Sequence, residues 1–480
     1  MSTASVVRDD VSARLAASAV ATASLHSDDD IRTWFAGAAK RNAVEVTPLP
    51  LDELPGWETC PETGDLRHVS GRFFSVRGIV VTRPGHWAPR WSQPIIVQPE
   101  VGILGFVAAE IDGVLHLLVQ AKVEPGNAFG LQLAPTVQAT RSNFTRVHQG
   151  NAVPYLEYFA DPTAHRVVVD VLQSEQGSWF LRKQNRNVVV EVAGDVEAHE
   201  DFCWMTLRQL YAFLRERDVV NMDARTVLGC LPLTGPGVAD AVAGSVAARS
   251  AVAAVLAASC DPEAGSVEDL TEVLSHLTVE RSMADHTVVP VPLRDVERWH
   301  RDTHAVAHDS GRFFRMIGVG VRASGREVRS WSQPILAPAG EGLCGFLVAR
   351  HAGVLHALAQ LRVEPGFVDG VEFGPTVQCT PANYVGDHAA HRPPFLDALL
   401  PDDPARVHYD TLLSEEGGRF YHALTRYVVT EVDAGDLGPL PPGYVWLAPH
   451  QLSALARHPR YLDVQARSTL TCLHSLLAPR

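Results

Sequence analysis

The segment Ser70-Gly71-Arg72-Phe73-Phe74 returns as Ser310-Gly311-Arg312-Phe313-Phe314, a shift of 240 residues. At the same shift Trp91-Ser92-Gln93-Pro94-Ile95 becomes Trp331-Ser332-Gln333-Pro334-Ile335, and Glu124-Pro125-Gly126 becomes Glu364-Pro365-Gly366. Pro135-Thr136-Val137-Gln138 matches Pro375-Thr376-Val377-Gln378, Asn143 matches Asn383, and Ser174-Glu175 matches Ser414-Glu415. Near the ends the shift drifts to 242, where Ala224-Arg225 pairs with Ala466-Arg467 and Trp57 with Trp299. A register this steady describes one unit of ~200 residues present twice, far longer than a solenoid repeat.

Each copy runs from strands to helices. Phe73 to Thr82, Ser92 to Gln98, Leu104 to Ile111, Val114 to Val123, Leu131 to Thr140 and Asn187 to Val192 are alternating, β-branched runs broken by Gly and Pro. Asp112-Gly113, matched by Ala352-Gly353, predicts a tight hairpin. Helical spacing follows at Leu207 to Arg217 and Met222 to Leu231, echoed at Gln451 to Arg457 and Val464 to Leu477. Ser266 and Asp269 suggest a capping box for a helix over Val267 to Leu277. The expected class is α+β, a tandem duplication with mixed or antiparallel sheets and C-terminal helices in each copy.

Charge and composition remove several functions. A net charge of −14 argues against a nonspecific grip on nucleic acid or an anionic membrane. The seven cysteines are scattered and never form CxxC, so neither a disulfide frame nor a zinc site is expected, and a cytoplasmic location fits. Leu15 to Leu25 lacks the basic start of a signal peptide, and Val238 to Ala258 is too polar to span a bilayer; the first reads as a mobile arm, the second as a linker helix. No GxGxxG follows a strand, and GxxxxGK[ST], HExxH and GxSxG are absent. The expected chemistry uses no cofactor and no metal.

Residues kept in both copies serve either the fold or a shared ligand. Trp91/Trp331, Gln93/Gln333, Gln138/Gln378 and Asn143/Asn383 suit stacking on a base and reading its edges, or a core of aromatics and satisfied amides. Arg72 and Arg312, beside paired phenylalanines, call for an anionic partner, either an internal carboxylate or a diphosphate. Glu124/Glu364 and Glu175/Glu415 are repeated carboxylates that serve as bases or tie loops to arginine. His116/His356 reads as a core histidine.

Differences between the copies point to the chemistry. Lys183 becomes Ala423, Asn185 becomes Thr425, and Tyr155 and Tyr158 become Phe395 and Ala398. Only Lys40, Lys122 and Lys183 occur in a chain that otherwise uses arginine. A retained lysine offers an amine that can lose its proton, which a guanidinium cannot.

The repeated SGRFF, WSQPI, EPG and PTVQ blocks, the SEQGSWF stretch and the NMDAR helix resemble the NDP-hexose 2,3-dehydratases of deoxysugar and antibiotic biosynthesis, over about residues 30 to 480. The resemblance implies two Nudix-like units without the Nudix metal box, a homodimer, and dTDP-4-keto-6-deoxy-D-glucose as substrate. The product it implies is a dTDP-3,4-diketo-2,6-dideoxyhexose, passed to a 3-ketoreductase. A non-catalytic nucleotide-sugar-binding protein and a Nudix-type hydrolase are the alternatives. The expected organisation is a mobile arm (1–30), a first, catalytic repeat (31–235), a helical linker (236–288) and a second repeat (289–480). Within that reaction Glu175 or Glu124 is the candidate base, Lys183 the acid or enolate stabiliser, and Tyr155 and Tyr158 sugar contacts. Arg72, Trp91, Gln93, Gln138, Asn143 and Arg186, with Arg312, Trp331, Gln333, Gln378 and Asn383, are the candidate substrate-binding residues. The second copy would bind nucleotide sugar weakly or serve structure.

Overall fold

The computed structural model describes residues 11–141, 152–245, 250–324 and 328–479. In each copy a large mixed sheet forms where the alternating runs meet. In the first, Arg166–Ser174, Gln184–Glu191, Gly102–Ile111, Val114–Lys122 and Phe202–Thr206 lie in that spatial order, with Gln132–Ala134 and Val137–Ala139 paired alongside. Every pairing is antiparallel except that of Gln184–Glu191 with Gly102–Ile111. The second copy repeats the arrangement on Gly342–His351 and Leu424–Glu431. The tandem α+β expectation is met.

Local sequence accounts for the element ends. Asp112 and Gly113 both take positive φ, 50° and 79°, as a two-residue hairpin of this twist requires, and Ala352-Gly353 repeats it. Pro135 and Thr136 divide the run predicted over Leu131 to Thr140 into two short strands. The helix near 270 is capped by Asp269 and Glu272 rather than by Ser266, and spans Leu270–Met283.

Two readings of the flanking segments are corrected. Residues 11–20, expected within a mobile arm, form the helix Val11–Val20, with Leu15 and Ala19 wholly buried. Small side chains let it lie close to the sheet, where Ser18 Oγ donates to Leu115 O at 2.6 Å and accepts from Leu207 N at 2.9 Å. The expected linker helix is two helices, Pro236–Ala243 and Ala251–Ser259. The latter is the second copy's counterpart of Val11–Val20, and its Ser259 Oγ accepts from the N–H of Leu355, the residue that matches Leu115. Arm and linker are thus the opening helices of the two copies.

The copies also exchange strands. Val44–Leu49 pairs with Phe314–Ala323 of the second copy, and Thr287–Val291 pairs with Ser75–Thr82 of the first. Val44 and Val46 pack on Val319, Val321 and Ile335, so the alternating apolar face of the exchanged strand is what it buries. Pro48 and Pro290 sit in these edge strands, where a missing N–H costs no ladder bond and discourages further pairing.

Each Glu-Pro-Gly turn is then driven into the Ser-Glu loop of the other copy. Gly126 N donates to Gly417 O and Gly366 N to Gly177 O, both at 2.7 Å. A Cβ on Gly366 would lie 1.7 Å from Phe180 O, against backbone that has no rotamer to change. Gly366→Ala is therefore expected to cost about 3 kcal/mol or more, the upper end of overpacking penalties. Chemical denaturation measures it, and an unchanged midpoint would show that the two loops are not in register.

Candidate active site

One cleft collects the repeated motifs, and both copies build it. Its floor is the first large sheet, through Gly102, Leu104, Lys122 and Gln138. One wall is an aromatic shelf of Trp57, His68, Phe73 and Phe74, with Trp57 and Phe74 centroids 4.7 Å apart and His68 and Phe73 4.8 Å apart. The opposite wall comes from the second copy: Trp331, Ser332 and Gln333 on strand Ser330–Pro338, then Glu416, Gly418 and Arg419. Trp57 Nε1 donates to Ser332 O at 2.7 Å and ties the walls together. Phe73 takes a positive φ of 73°, a strained conformation for an aromatic residue and one that recurs at Phe313.

Lys183 and Glu175 meet because a loop closes between them, with Glu175 N donating to Lys183 O at 3.1 Å. Lys183 Nζ donates to Asn185 Oδ1 at 2.9 Å and to Glu100 O, and Asn185 Nδ2 donates to Glu175 Oε1 at 2.6 Å. Glu175 Oε2 is buried with no hydrogen-bond partner. Burial raises the Glu175 pKa, opposed by the Lys183 and Arg467 charges. Burial lowers Lys183 to about 8, opposed by Glu175. The pair is thus a carboxylate more basic than usual beside an amine that titrates near neutrality.

Five further ionisable groups complete the cleft: Lys122, Glu124, Asp223, Glu416 and Arg419. Lys122 Nζ donates to Gln138 O at 2.9 Å, and Gln138 Nε2 donates to Glu124 Oε1 at 2.9 Å. The guanidinium carbon of Arg419 lies 4.3 Å over the Phe74 ring, and its Nε donates to Gln98 Oε1 at 3.2 Å. Asp223, at the start of helix Met222–Leu228, is a buried carboxyl, and Glu416 a half-buried one.

At the pseudo-symmetric position in the second copy, called the closed position below, the equivalent groups are bonded to one another. Glu415 has both oxygens engaged, accepting from Tyr427 Oη at 3.0 Å and Gln176 Nε2 at 2.9 Å. Arg362, where the first copy has Lys122, pairs with Glu364 at 3.1 Å. Trp179 replaces Arg419 and packs on Phe420 with centroids 4.6 Å apart.

Of the residues expected from sequence, Glu124, Glu175, Lys183, Gln138, Trp331 and Gln333 line the cleft. Trp91, Gln93 and Gln378 hold the matching places around the closed position, with the same internal bonds: Trp91 Nε1 to Gln93 Oε1 at 3.0 Å and Gln378 Nε2 to Glu364 Oε1 at 3.3 Å. Tyr155 is on the other side of the sheet, its hydroxyl spent between Glu197 O and His199 N, both 2.8 Å away, and Tyr158 packs in the same cluster. Their loss in the second copy reflects core packing rather than sugar contact. Arg186 pairs with Asp170 on the sheet surface, and Arg312 donates to Val385 O; Arg72 is exposed. Asn383 accepts from Phe313 N, and Asn143 lies outside the described residues. His116 is a satisfied core histidine, bonded to Val114 O and Leu25 N. Sequence reasoning missed Lys122, Asp223, Glu416 and Arg419, although each differs from its counterpart in the other copy.

The sequence profile of a family described as NDP-hexose 2,3-dehydratase matches this chain twice, over residues 28–231 and 270–473. Three relatives carry the name dTDP-4-dehydro-6-deoxy-alpha-D-glucopyranose 2,3-dehydratase. That of Amycolatopsis orientalis is 43% identical over 98% of this chain and 95% of its own. That of Saccharopolyspora spinosa is 45% identical over 94% and 92%, and that of Streptomyces violaceoruber 46% identical over 92% and 96%.

With only three lysines in the chain, the amine at the base of the cleft is separately observable. After reductive ¹³C-methylation, the resonance that disappears in Lys183→Arg is expected to titrate near pH 8. A midpoint above 10 would place Lys183 in ordinary solvent.

Proposed function

The chain belongs to the NDP-hexose 2,3-dehydratase family, and we propose that its two-copy cleft removes water from C2 and C3 of dTDP-4-keto-6-deoxy-D-glucose. The observation that carries the assignment of the site is the contrast between the two positions. Glu175 keeps one oxygen unpartnered beside Lys183, whereas Glu415 has both oxygens occupied and Ala423 in place of the lysine.

The substrate's C4 ketone makes the C3 hydrogen acidic. In this reading Glu175 takes that proton, its burial making it a stronger base than a carboxylate in water. The electrons move onto the C4 oxygen, where the Lys183 ammonium supports the developing charge. They then return to expel the C2 oxygen, leaving an enol that tautomerises to the 3,4-diketone. The aromatic shelf and Trp331 offer faces to the base and sugar, and Arg419 is the cation on the wall facing them.

The rest of the reading follows from the same chemistry. A 3,4-diketone decomposes unless it is reduced, so a 3-ketoreductase is the proposed partner, in a cytoplasmic deoxysugar route to an antibiotic. Seven free cysteines suit that reducing setting. Among the described residues no helix is long and apolar enough to cross a membrane. Each unit is read as Nudix-like on its mixed sheet covered by helices, and the protein as a homodimer on the family resemblance.

Incubation with dTDP-4-keto-6-deoxyglucose in EDTA, with a 3-ketoreductase and NADPH as trap, is expected to give loss of one water followed by reduction, seen by mass. Bound but unchanged substrate would instead mark a binding module, and Mg²⁺-dependent release of dTMP a hydrolase. Lys183→Ala is expected to lower kcat by about 10²- to 10⁴-fold without unfolding the protein. The kcat/KM profile should rise with pH as Glu175 ionises, above the usual carboxylate range because its pKa is raised, and fall above about 8 as Lys183 loses its charge. An activity flat across pH 6 to 9 would remove both assignments.

A further inference from the structure

The dehydration needs proton donors as well as a base, and besides Glu124, which accepts from Gln138, the cleft holds two carboxyls that the roles above leave unused. Asp223 comes from the first copy and Glu416 from the second. At the closed position, where the same backbone is built, the counterparts are amides: Gln465 for Asp223 and Gln176 for Glu416. The duplication therefore shows both carboxyls only where the cleft is open, and each position accepts a glutamine without disturbing the fold.

Local geometry fits a carboxyl at 416 that has been given room. Its oxygens accept from Gly418 N at 3.0 Å and Arg419 N at 2.8 Å, turning the group away from the place where Gln176 meets Glu415. A Cβ on Gly418 would stand 2.4 Å from Glu416 Oε1 and 3.4 Å from Glu124 Oε1. The counterpart of Gly418 is Ser178, so the missing side chain belongs with the carboxyl. Asp223 Oδ1 is buried with no hydrogen-bond partner, at the edge of the same cleft.

We propose that Asp223 and Glu416, one from each copy, form the proton-donating side of the active site. The inference rests on the dehydratase reading and adds its acid. The C3–H bond breaks and its proton goes to Glu175. The C2–O bond breaks, and the oxygen leaves as water with a proton from the Asp223–Glu416 pair. In the enol the C3 hydroxyl then gives up its proton while C2 gains one, so the sum is loss of one water.

The charged surroundings hold the pair in the state it needs. Burial raises both groups, Glu416 to about 8, and the carboxylates Glu124 and Glu175 raise them further; Arg419 opposes this at Glu416 and Lys122 at Asp223. Lys183 faces the same space across Glu175.

The test is to run Glu416→Gln and Asp223→Gln in D₂O with dTDP-4-keto-6-deoxyglucose, following deuterium entry at C3 by NMR and water loss by mass. A no-enzyme control gives the background exchange. Each variant is expected to keep C3 exchange, because Glu175 is intact, while elimination falls about 10²- to 10⁴-fold. Glu175→Gln should lose both. Elimination at the wild-type rate in both carboxyl variants would overturn the proposal, as would loss of exchange together with elimination, which marks a structural role. Wild-type protein that neither exchanges nor eliminates would overturn the dehydratase reading itself and the acid pair with it.

Discussion

Two buried arginines hold the molecule in register. Arg225 donates to Val220 O at 2.7 Å within its own copy and to Ser414 O at 2.6 Å in the other. Arg467 returns the contact, donating to Leu462 O at 2.5 Å, Thr226 Oγ1 at 2.7 Å and Ser174 O at 2.7 Å. Both are fully buried, and a guanidinium taken out of water is tolerated only where fixed acceptors replace the lost hydration. Since each arginine finds acceptors in the opposite copy, neither half can satisfy its own charge alone. The carbonyls they hold belong to the residues just before Glu175 and Glu415, so the interaction that joins the copies also fixes the two repeated carboxylates.

That joint explains why the candidate cleft is composite. The Glu-Pro-Gly turn of one copy and the Ser-Glu loop of the other share backbone hydrogen bonds, so residues 416 to 419 lie over the floor of the first sheet. Substitutions in either copy can then change either position. In the closed position Arg362 pairs with Glu364, Tyr427 donates to Glu415 and Trp179 packs on Phe420.

Much of this was legible in the sequence, and the omissions have a common cause. The duplication, the alternating strands and the Asp112-Gly113 hairpin could be read directly, because period and turn chemistry are local. Glu175 was found because its carboxylate recurs in both copies, and Lys183 because it is a lysine in an arginine-rich chain with Ala423 as its counterpart. Strand exchange was invisible: Val44–Leu49 carries an apolar face that either copy's small sheet would accept, and nothing local says which. That single ambiguity misassigned the rest. Comparing copies as self-contained units passed over Glu416 and Arg419, which the crossed loops deliver to the cleft of Glu175. It likewise set Trp331 and Gln333 with the second copy's own ligand, whereas they line the same cleft as Glu175. Tyr155 was misread for another reason, since a buried phenol bonded to backbone and one bonded to sugar leave the same residue in the sequence.

The lysines show how composition and geometry combine. In an arginine-rich chain, two of three lysines line one cleft, and their counterparts are Arg362 and Ala423. An arginine there would be a permanent charge, and an alanine no charge at all; neither can change state during a reaction. Burial lowers Lys183 to about 8 against the pull of Glu175 and raises Glu416 to about 8, so a cation and a carboxyl are both displaced toward neutrality. Both groups can then change protonation state near neutral pH. The closed position, with a fixed guanidinium ion-paired and its glutamate fully hydrogen-bonded, has no such freedom. The two positions thus differ in which titratable groups a shared backbone carries, and the proposed elimination draws on that difference.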